Sequence, residues 1–247
     1  MRDTERLADS SSWNWLIKGK IKGPTEGLII AAQDQALPTN HNKAVICKTQ
    51  SDGSCRVCRK AEETTNHILA ECEPLAGRNY KWRHDRVCKI LHYEMSKKYG
   101  LPTPKKYGEH EPEKCIENDD VKILYDFDIQ CDKKIHHRRP DLVILAKKEK
   151  KASIIDVAIP ADCRVEKKEN EKIQKYQDLR IELNRIWDTK ATVIPIIIGA
   201  LGTVPKTLPK WLKELQCQHI IQKIQKETIL GSASILRRVL GIQGNPP

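Results

Sequence analysis

Along the second half of the chain, apolar residues come in short blocks rich in β-branched side chains, set between stretches with helical spacing. The blocks predict strands at Val121 to Gln130, Asp141 to Ala146, Ser153 to Ile159 and Thr192 to Ile198. Between the second and third, the polar run Lys147-Lys148-Glu149-Lys150-Lys151 reads as the loop of a β-hairpin. Spacings of three and four predict one long helix from about Arg164 to Asp188, and two more near Leu208 to Gln225 and Glu227 to Val239. Elements in this order imply an α/β (α+β) fold, with helices covering a mixed sheet.

Upstream the rhythm changes. A break at Gly23-Pro24 precedes a short helix near 25 to 36, residues 43 to 75 gather cysteines and histidines, and 76 to 100 form an amphipathic basic helix. Residues 101 to 118, rich in Pro, Lys, Gly and Glu, lack periodicity and read as a connector. The expected organisation is a helical linker over 1–42, a Cys/His module with its basic helix over 43–100, the connector over 101–118, and an α/β domain over 119–247. The linker is expected to pack on something N-terminal to it, so that the chain begins mid-protein. No internal repeat is present.

At 247 residues and 39% hydrophobic content, the chain suits one sizeable domain or two small ones. The formal charge of +11 favours polyanions over acidic proteins or neutral ligands. Nine cysteines, an odd number unevenly spread, with no apolar signal segment ahead of them, argue against a secreted disulfide framework. Reduced thiols in a nuclear or cytosolic setting are expected. The longest apolar stretch, Val193 to Leu201, contains Pro195 and Gly199 and is too short to span a bilayer, so no membrane role is expected.

Cys55, Cys58, His67 and Cys72 follow the pattern C-x2-C-x8-H-x4-C. Three thiolates and one imidazole at these spacings suit closed tetrahedral coordination of a structural Zn²⁺. A small segment with little apolar material would then take its folding energy from the metal. The competing reading, two small buried thiols and a surface histidine, requires four ligands to coincide by chance. Arg56, Arg59 and Lys60 lie between the ligands and are expected to contact phosphates. The other cysteines, at 47, 88, 115, 131, 163 and 217, are expected to fill cores, with Cys47 a lesser candidate as a substitute ligand.

The predicted hairpin places Asp141 at the head of one strand and Asp156 within the next, so antiparallel pairing can bring two carboxylates together. Such a pair suits a hard cation such as Mg²⁺, with the Val157 carbonyl as a further oxygen. Asp156 sits among Ile154, Ile155, Val157 and Ile159, in a strand apolar on both faces where a bare carboxylate is costly. The bland alternatives are a turn cap for Asp141 and a solvated edge residue for Asp156. Phosphodiester hydrolysis also needs a cation near the developing charge. In many nucleases a lysine two residues beyond the second acid supplies it, but that position is Ala158 here. The next helix offers Lys168, Lys172, Lys175 and Tyr176 along one face, with Lys172 the first choice and Lys175 the second. Tyr176 reads equally as a residue that orients water or phosphate and as a core aromatic.

Basic residues surround these candidates. Lys133, Lys134, His136, His137, Arg138 and Arg139 form an approach to Asp141, a run that is either a solvated face or a DNA contact. On the basic helix, Lys81, Arg83, His84 and Arg86 are expected to grip nucleic acid, with Trp82 either stacking on an unpaired base or buried.

Taken together, Arg139-Pro140-Asp141, fourteen residues, Asp156 in IIDVAIPAD, then EKIQKYQDL form a specific combination with the upstream CCHC cluster. With GLIIAAQDQALPTN before the cluster and RHDRV and VIPIIIGALGTV after it, the chain resembles the C-terminal part of the Pol protein of non-LTR retrotransposons that carry a restriction-enzyme-like endonuclease. The resemblance covers nearly the whole chain. It implies a PD-(D/E)xK nuclease fold over 119–247, Asp141 and Asp156 as Mg²⁺ ligands, and a catalytic lysine moved from the strand to the helix. It further implies a DNA target, element RNA as a partner, nuclear localisation, and a nick that primes reverse transcription. The polymerase would lie N-terminal to Met1. Asp119-Asp120 follows the connector and does not sit in a polymerase hairpin, so this chain is not expected to polymerise. The alternative is a catalytically silent, zinc-bearing remnant that still binds nucleic acid.

Overall fold

A computed structural model describes residues 9–242. The first eight residues of the expected linker lie outside the described residues. Short helices α1 (Asp9–Ser12) and α2 (Asn14–Lys18) lead into α3 (Gly23–Gln33). Gly23 and Pro24 open α3 instead of breaking the chain before it, because a proline in the first turn lacks only an N–H that would be unpaired there anyway. After the Cys/His segment, α4 (Glu73–Leu75) and a wide helical turn run into α5 (Lys81–Lys98).

Five strands form one sheet in the order β1 (Cys115–Glu117), β2 (Val121–Tyr125), β3 (Leu142–Ala146), β4 (Lys151–Ala158) and β5 (Lys190–Ile197). The first four make an antiparallel meander, which includes the predicted hairpin, while β4 and β5 run parallel. A parallel pair needs a crossover, supplied by α6 (Val165–Lys175) and α7 (Gln177–Ile186). The chain closes with α8 (Leu208–Glu214) and α9 (Ile221–Leu240).

Three expectations change. The strand predicted to reach Gln130 stops at Tyr125, because Asp126 turns in the left-handed region at φ 44° and donates its N–H to the Asp141 carbonyl at 2.8 Å. The predicted single helix of 164–188 breaks at Tyr176, with φ −108° and ψ 15°. The helix predicted over 208–225 ends at Glu214, where Gln216 turns at φ 56° before α9 begins.

Each face of the sheet buries a helical layer. Val87, Leu91 and Met95 of α5 pack on Ile123, Ile155, Val157 and Ile196, while Tyr176, Leu179 and Leu183 pack on Val143, Ile154 and Val193. Ile154 and Ile155 thus face opposite layers, as a strand apolar on both sides requires. A further cluster joins Trp15, Ile29, Ile68, Leu69, Ile229 and Leu236, uniting the N-terminal helices, the Cys/His segment and α9. The expected connector at 101–118 therefore does not separate two cores, since α5 on one side of it packs on the sheet on the other. It also contributes β1 to that sheet. Among the described residues no helix is long and apolar enough to cross a membrane.

Candidate active site and metal centre

Asp141 and Asp156 meet where β3 begins and β4 nears its end. Leu142 pairs with Ile155, so the next rung of the antiparallel register sets Asp141 opposite Asp156. Asp141 accepts the N–H of Val157, the residue after Asp156, on Oδ2 at 2.7 Å. Val157 thus offers Asp141 its N–H two residues beyond Ile155, the last paired rung. Both carboxylates line an open cavity of about 400 Å³ together with Lys81, His84, Arg139, Lys172 and Lys175.

Asp156 is only 2% exposed. The Tyr176 hydroxyl donates to its Oδ1 at 2.5 Å, Lys172 Nζ pairs with Oδ2, and Lys175 Nζ stands 3.8 Å from Oδ1. Removing a carboxylate from water costs several kcal/mol, which these cations and the hydroxyl offset. The Lys172 contact is an ion pair without hydrogen-bond alignment, so Oδ2 has no hydrogen-bond partner. The break between α6 and α7 explains this gathering. Tyr176 turns its ring into the core beside Leu179 while Lys172 and Lys175 remain on the preceding helix. Tyr176 is therefore a core aromatic whose hydroxyl reaches the cavity and meets Asp156. Burial first, then the Asp156 charge and hydrogen bond, raise its pKa, so the hydroxyl serves as a donor.

His84 is the site residue whose role sequence reasoning missed. Its Nε2 lies 3.1 Å from Asp141 Oδ2, and its Nδ1 lies 3.1 Å from Asp85 Oδ1. Burial opposes the charged ring, but the bonds to Asp141 and then Asp85 prevail and raise its pKa. The available signal was His84 and Cys88, four apart on the α5 face that turns to the sheet.

The Cys/His centre forms locally. An isolated bridge between Ser54 and Glu62 closes a small loop that carries Cys55 and Cys58, with Arg59 at φ 58°. A wide helical turn over His67–Glu71, closed by the Cys72 N–H to the His67 carbonyl at 2.9 Å, presents the other two ligands. Tyr80 clamps that turn, donating to the Ile68 carbonyl at 2.7 Å. The Cys55 and Cys72 sulfurs are 3.9 Å apart, Cys58 Sγ and His67 Nε2 are 3.2 Å apart, and all four donor atoms lie within 4.8 Å of one another. A tetrahedron with Zn–S near 2.3 Å has sulfur–sulfur edges of about 3.8 Å, so the set fits zinc in both donor type and size. Burial and then the neighbouring Cys55 push the Cys72 thiol up to about 12, so ligation there depends on the field of a cation.

The expected nucleic-acid contacts divide. Lys133, Lys134 and His137 are exposed ahead of Asp141. Arg138 pairs with Asp128 at 2.8 Å and Arg139 with Asp126 at 2.7 Å, both at the surface. Arg59, Lys60 and Lys81 are exposed beside Asp52, Glu73 and Asp85. Trp82 is 46% exposed with the Arg86 guanidinium 4.9 Å over its ring, so it is not buried. Arg86 is also engaged by Glu227.

Two expected contacts are corrected. Arg56 is bound to Glu63, whose side chain is wholly buried and also accepts the Asn40 N–H. Arg83 is 1% exposed and donates to Ser232 Oγ at 2.8 Å and to the Leu69 carbonyl at 2.7 Å. Neither guanidinium faces a phosphate, because each satisfies buried acceptors instead. Of the cysteines outside the centre, only some fill a core as expected. Cys88 and Cys217 are buried, Cys131 is half-buried, and Cys47, Cys115 and Cys163 are exposed.

Compared with known proteins, the chain matches no protein-family model and no curated protein. The fold and centre define a mixed α/β protein with a Cys3His cluster that could hold a metal such as zinc.

Proposed function

We propose that this chain is the metal-dependent DNA endonuclease segment of a non-LTR retrotransposon Pol protein, with a restriction-enzyme-like PD-(D/E)xK fold. Asp156 carries the reading. A buried carboxylate with one oxygen lacking a hydrogen bond and an ammonium against it shares a basic cavity with a second carboxylate from the adjoining strand. That donor set fits a hard divalent cation.

When bound there, Mg²⁺ supplies a Lewis acid for the phosphoryl oxygen and acidifies a water. Asp141 and Asp156 hold it from two strands. Lys172 sets an ammonium beside Asp156, against the charge that develops around phosphorus. Tyr176 keeps Asp156 aimed by donating its hydroxyl. Lys133, Lys134, His137 and the outer faces of Arg138 and Arg139 draw in backbone phosphates, and Trp82 offers an exposed ring to an unpaired base. The nick leaves a 3′-hydroxyl, which primes copying of element RNA by the polymerase of the parent protein in the nucleus. The Cys3His cluster holds structural Zn²⁺.

Nicking of supercoiled plasmid in Mg²⁺ tests this reading. Asp141→Ala and Asp156→Ala are each expected to lower nicking about 10³-fold or more while DNA binding persists. Undiminished nicking in both variants sinks the proposal. DNA binding by the wild-type chain without nicking favours the silent remnant. Lys172→Ala is expected to cost more than Lys175→Ala, and the reverse order moves the catalytic ammonium to Lys175.

A further inference from the structure

Resting on the nuclease reading, we propose that His84 is a third protein ligand of the divalent cation, binding through Nε2 beside Asp141 and Asp156, with Asp85 as its positioning residue. His84 reaches from α5 to the start of β3 and lines the same cavity as both carboxylates. Its Nε2 lies 3.1 Å from Asp141 Oδ2, a separation that two ligands of one cation can share.

The other ring nitrogen supports the assignment. Nδ1 lies 3.1 Å from Asp85 Oδ1, and Lys81, one helical turn back, holds Asp85 at 3.2 Å. A carboxylate behind one imidazole nitrogen fixes the proton there and presents the lone pair of the other, the arrangement that orients metal-binding histidines. The donor atoms of His84 and Asp141 lie within 4.8 Å of one another in a group whose third member is Cys88 and not Asp156. Cys88 is not a ligand in this reading. Its sulfur lies 3.7 Å from both ring nitrogens, so it rests against the face of the ring and not beside the Nε2 lone pair. It is buried and packs with the core.

One imidazole with two carboxylates is a mixed set. Carboxylates suit Mg²⁺ and Mn²⁺ alike, and an imidazole nitrogen adds affinity for transition metals. The site is therefore expected to take Mn²⁺ more tightly than Mg²⁺. The rival geometry is one in which His84 only donates Nε2–H to Asp141 and never meets the cation.

Pulsed EPR of Mn²⁺ on the full chain, with the Cys3His cluster first filled by Zn²⁺, separates the two. Wild type is expected to show a directly coordinated ¹⁴N. His84→Ala is expected to lose it and to bind Mn²⁺ at least about tenfold more weakly. His84→Asp is expected to recover binding without the nitrogen signal, which also shows that the site still folds. Asp85→Asn is expected to keep the signal while weakening binding about tenfold. Mn²⁺ that depends on Asp141 and Asp156 yet shows no coordinated nitrogen overturns this inference and leaves the nuclease reading intact. Mn²⁺ binding that neither Asp141→Ala nor Asp156→Ala alters overturns both.

Discussion

The Cys/His centre and the acid site are built in opposite ways. All four cysteine and histidine ligands fall between Cys55 and Cys72, on one small loop and one helical turn. The acid site draws His84 from α5, Asp141 from the head of β3, Asp156 from β4, and Lys172 and Tyr176 from the α6–α7 junction. The first assembles through short-range backbone geometry and could be completed by a cation, and the second exists only once the sheet and both helical layers have packed. A metal can therefore organise the first, whereas the second relies on hydrophobic burial on either side of β4.

Arg83 joins the two. Its guanidinium reaches the Leu69 carbonyl in the ligand-bearing turn, Ser232 on α9, and the Ile159 carbonyl just beyond β4 at 3.4 Å. Gly231 leaves the room, since a Cβ there would stand 2.5 Å from Arg83 Cγ. Burial lowers the Arg83 pKa to about 10, so the side chain stays charged at neutral pH while buried carbonyls and a hydroxyl accept from its two terminal nitrogens and Nε has no hydrogen-bond partner.

The contrast can be broken most severely at the metal. Stripping zinc, or replacing Cys72 by serine, is expected to lower the unfolding midpoint by roughly 10 °C, followed by circular dichroism. Wild type is expected to hold one zinc per chain by elemental analysis, and an unchanged midpoint after its removal argues against a structural metal. Next in size, Arg56→Ala is expected to destabilise by about 3 kcal/mol in denaturant titration, since it leaves buried Glu63 uncompensated. If Arg56 instead served phosphates, the variant would keep its stability and lose DNA affinity.

Smaller changes sharpen the other side. Tyr176→Phe removes the hydroxyl from Asp156 and is expected to slow nicking about tenfold with the fold retained, measured under single-turnover conditions. The smallest effect is expected from Lys134→Ala at the exposed approach to Asp141. It should reduce the slope of log affinity against log salt by about 1 and leave nicking at saturating DNA unchanged.

Much of the architecture was legible in the pattern of residues. The β3–β4 hairpin, its two acids and the ligand spacing of the Cys/His centre follow from local periodicity and turn chemistry, which act over a few residues. The break at Tyr176 was not legible, because α6 and α7 share one helical spacing and only the pull of the ring into the core beneath β4 interrupts it. Nor was the fate of individual cations. Arg83 and Lys81 look alike in a basic helix, yet one meets Ser232, 149 residues away, and the other faces solvent beside Asp85.

The sequence by itself determined where β2 to β5 lie, where the acids sit on them, and which four side chains can surround a cation, though not β1 or the end of β2. Tertiary structure alone decided that His84 faces Asp141 across 57 residues, that Arg56 and Arg83 turn inward, and that Tyr176 holds Asp156. The physical reason is range. Backbone preferences are settled among neighbours, whereas the role of a polar side chain depends on the partner that packing delivers, and for a buried group that partner outweighs its surroundings in the chain.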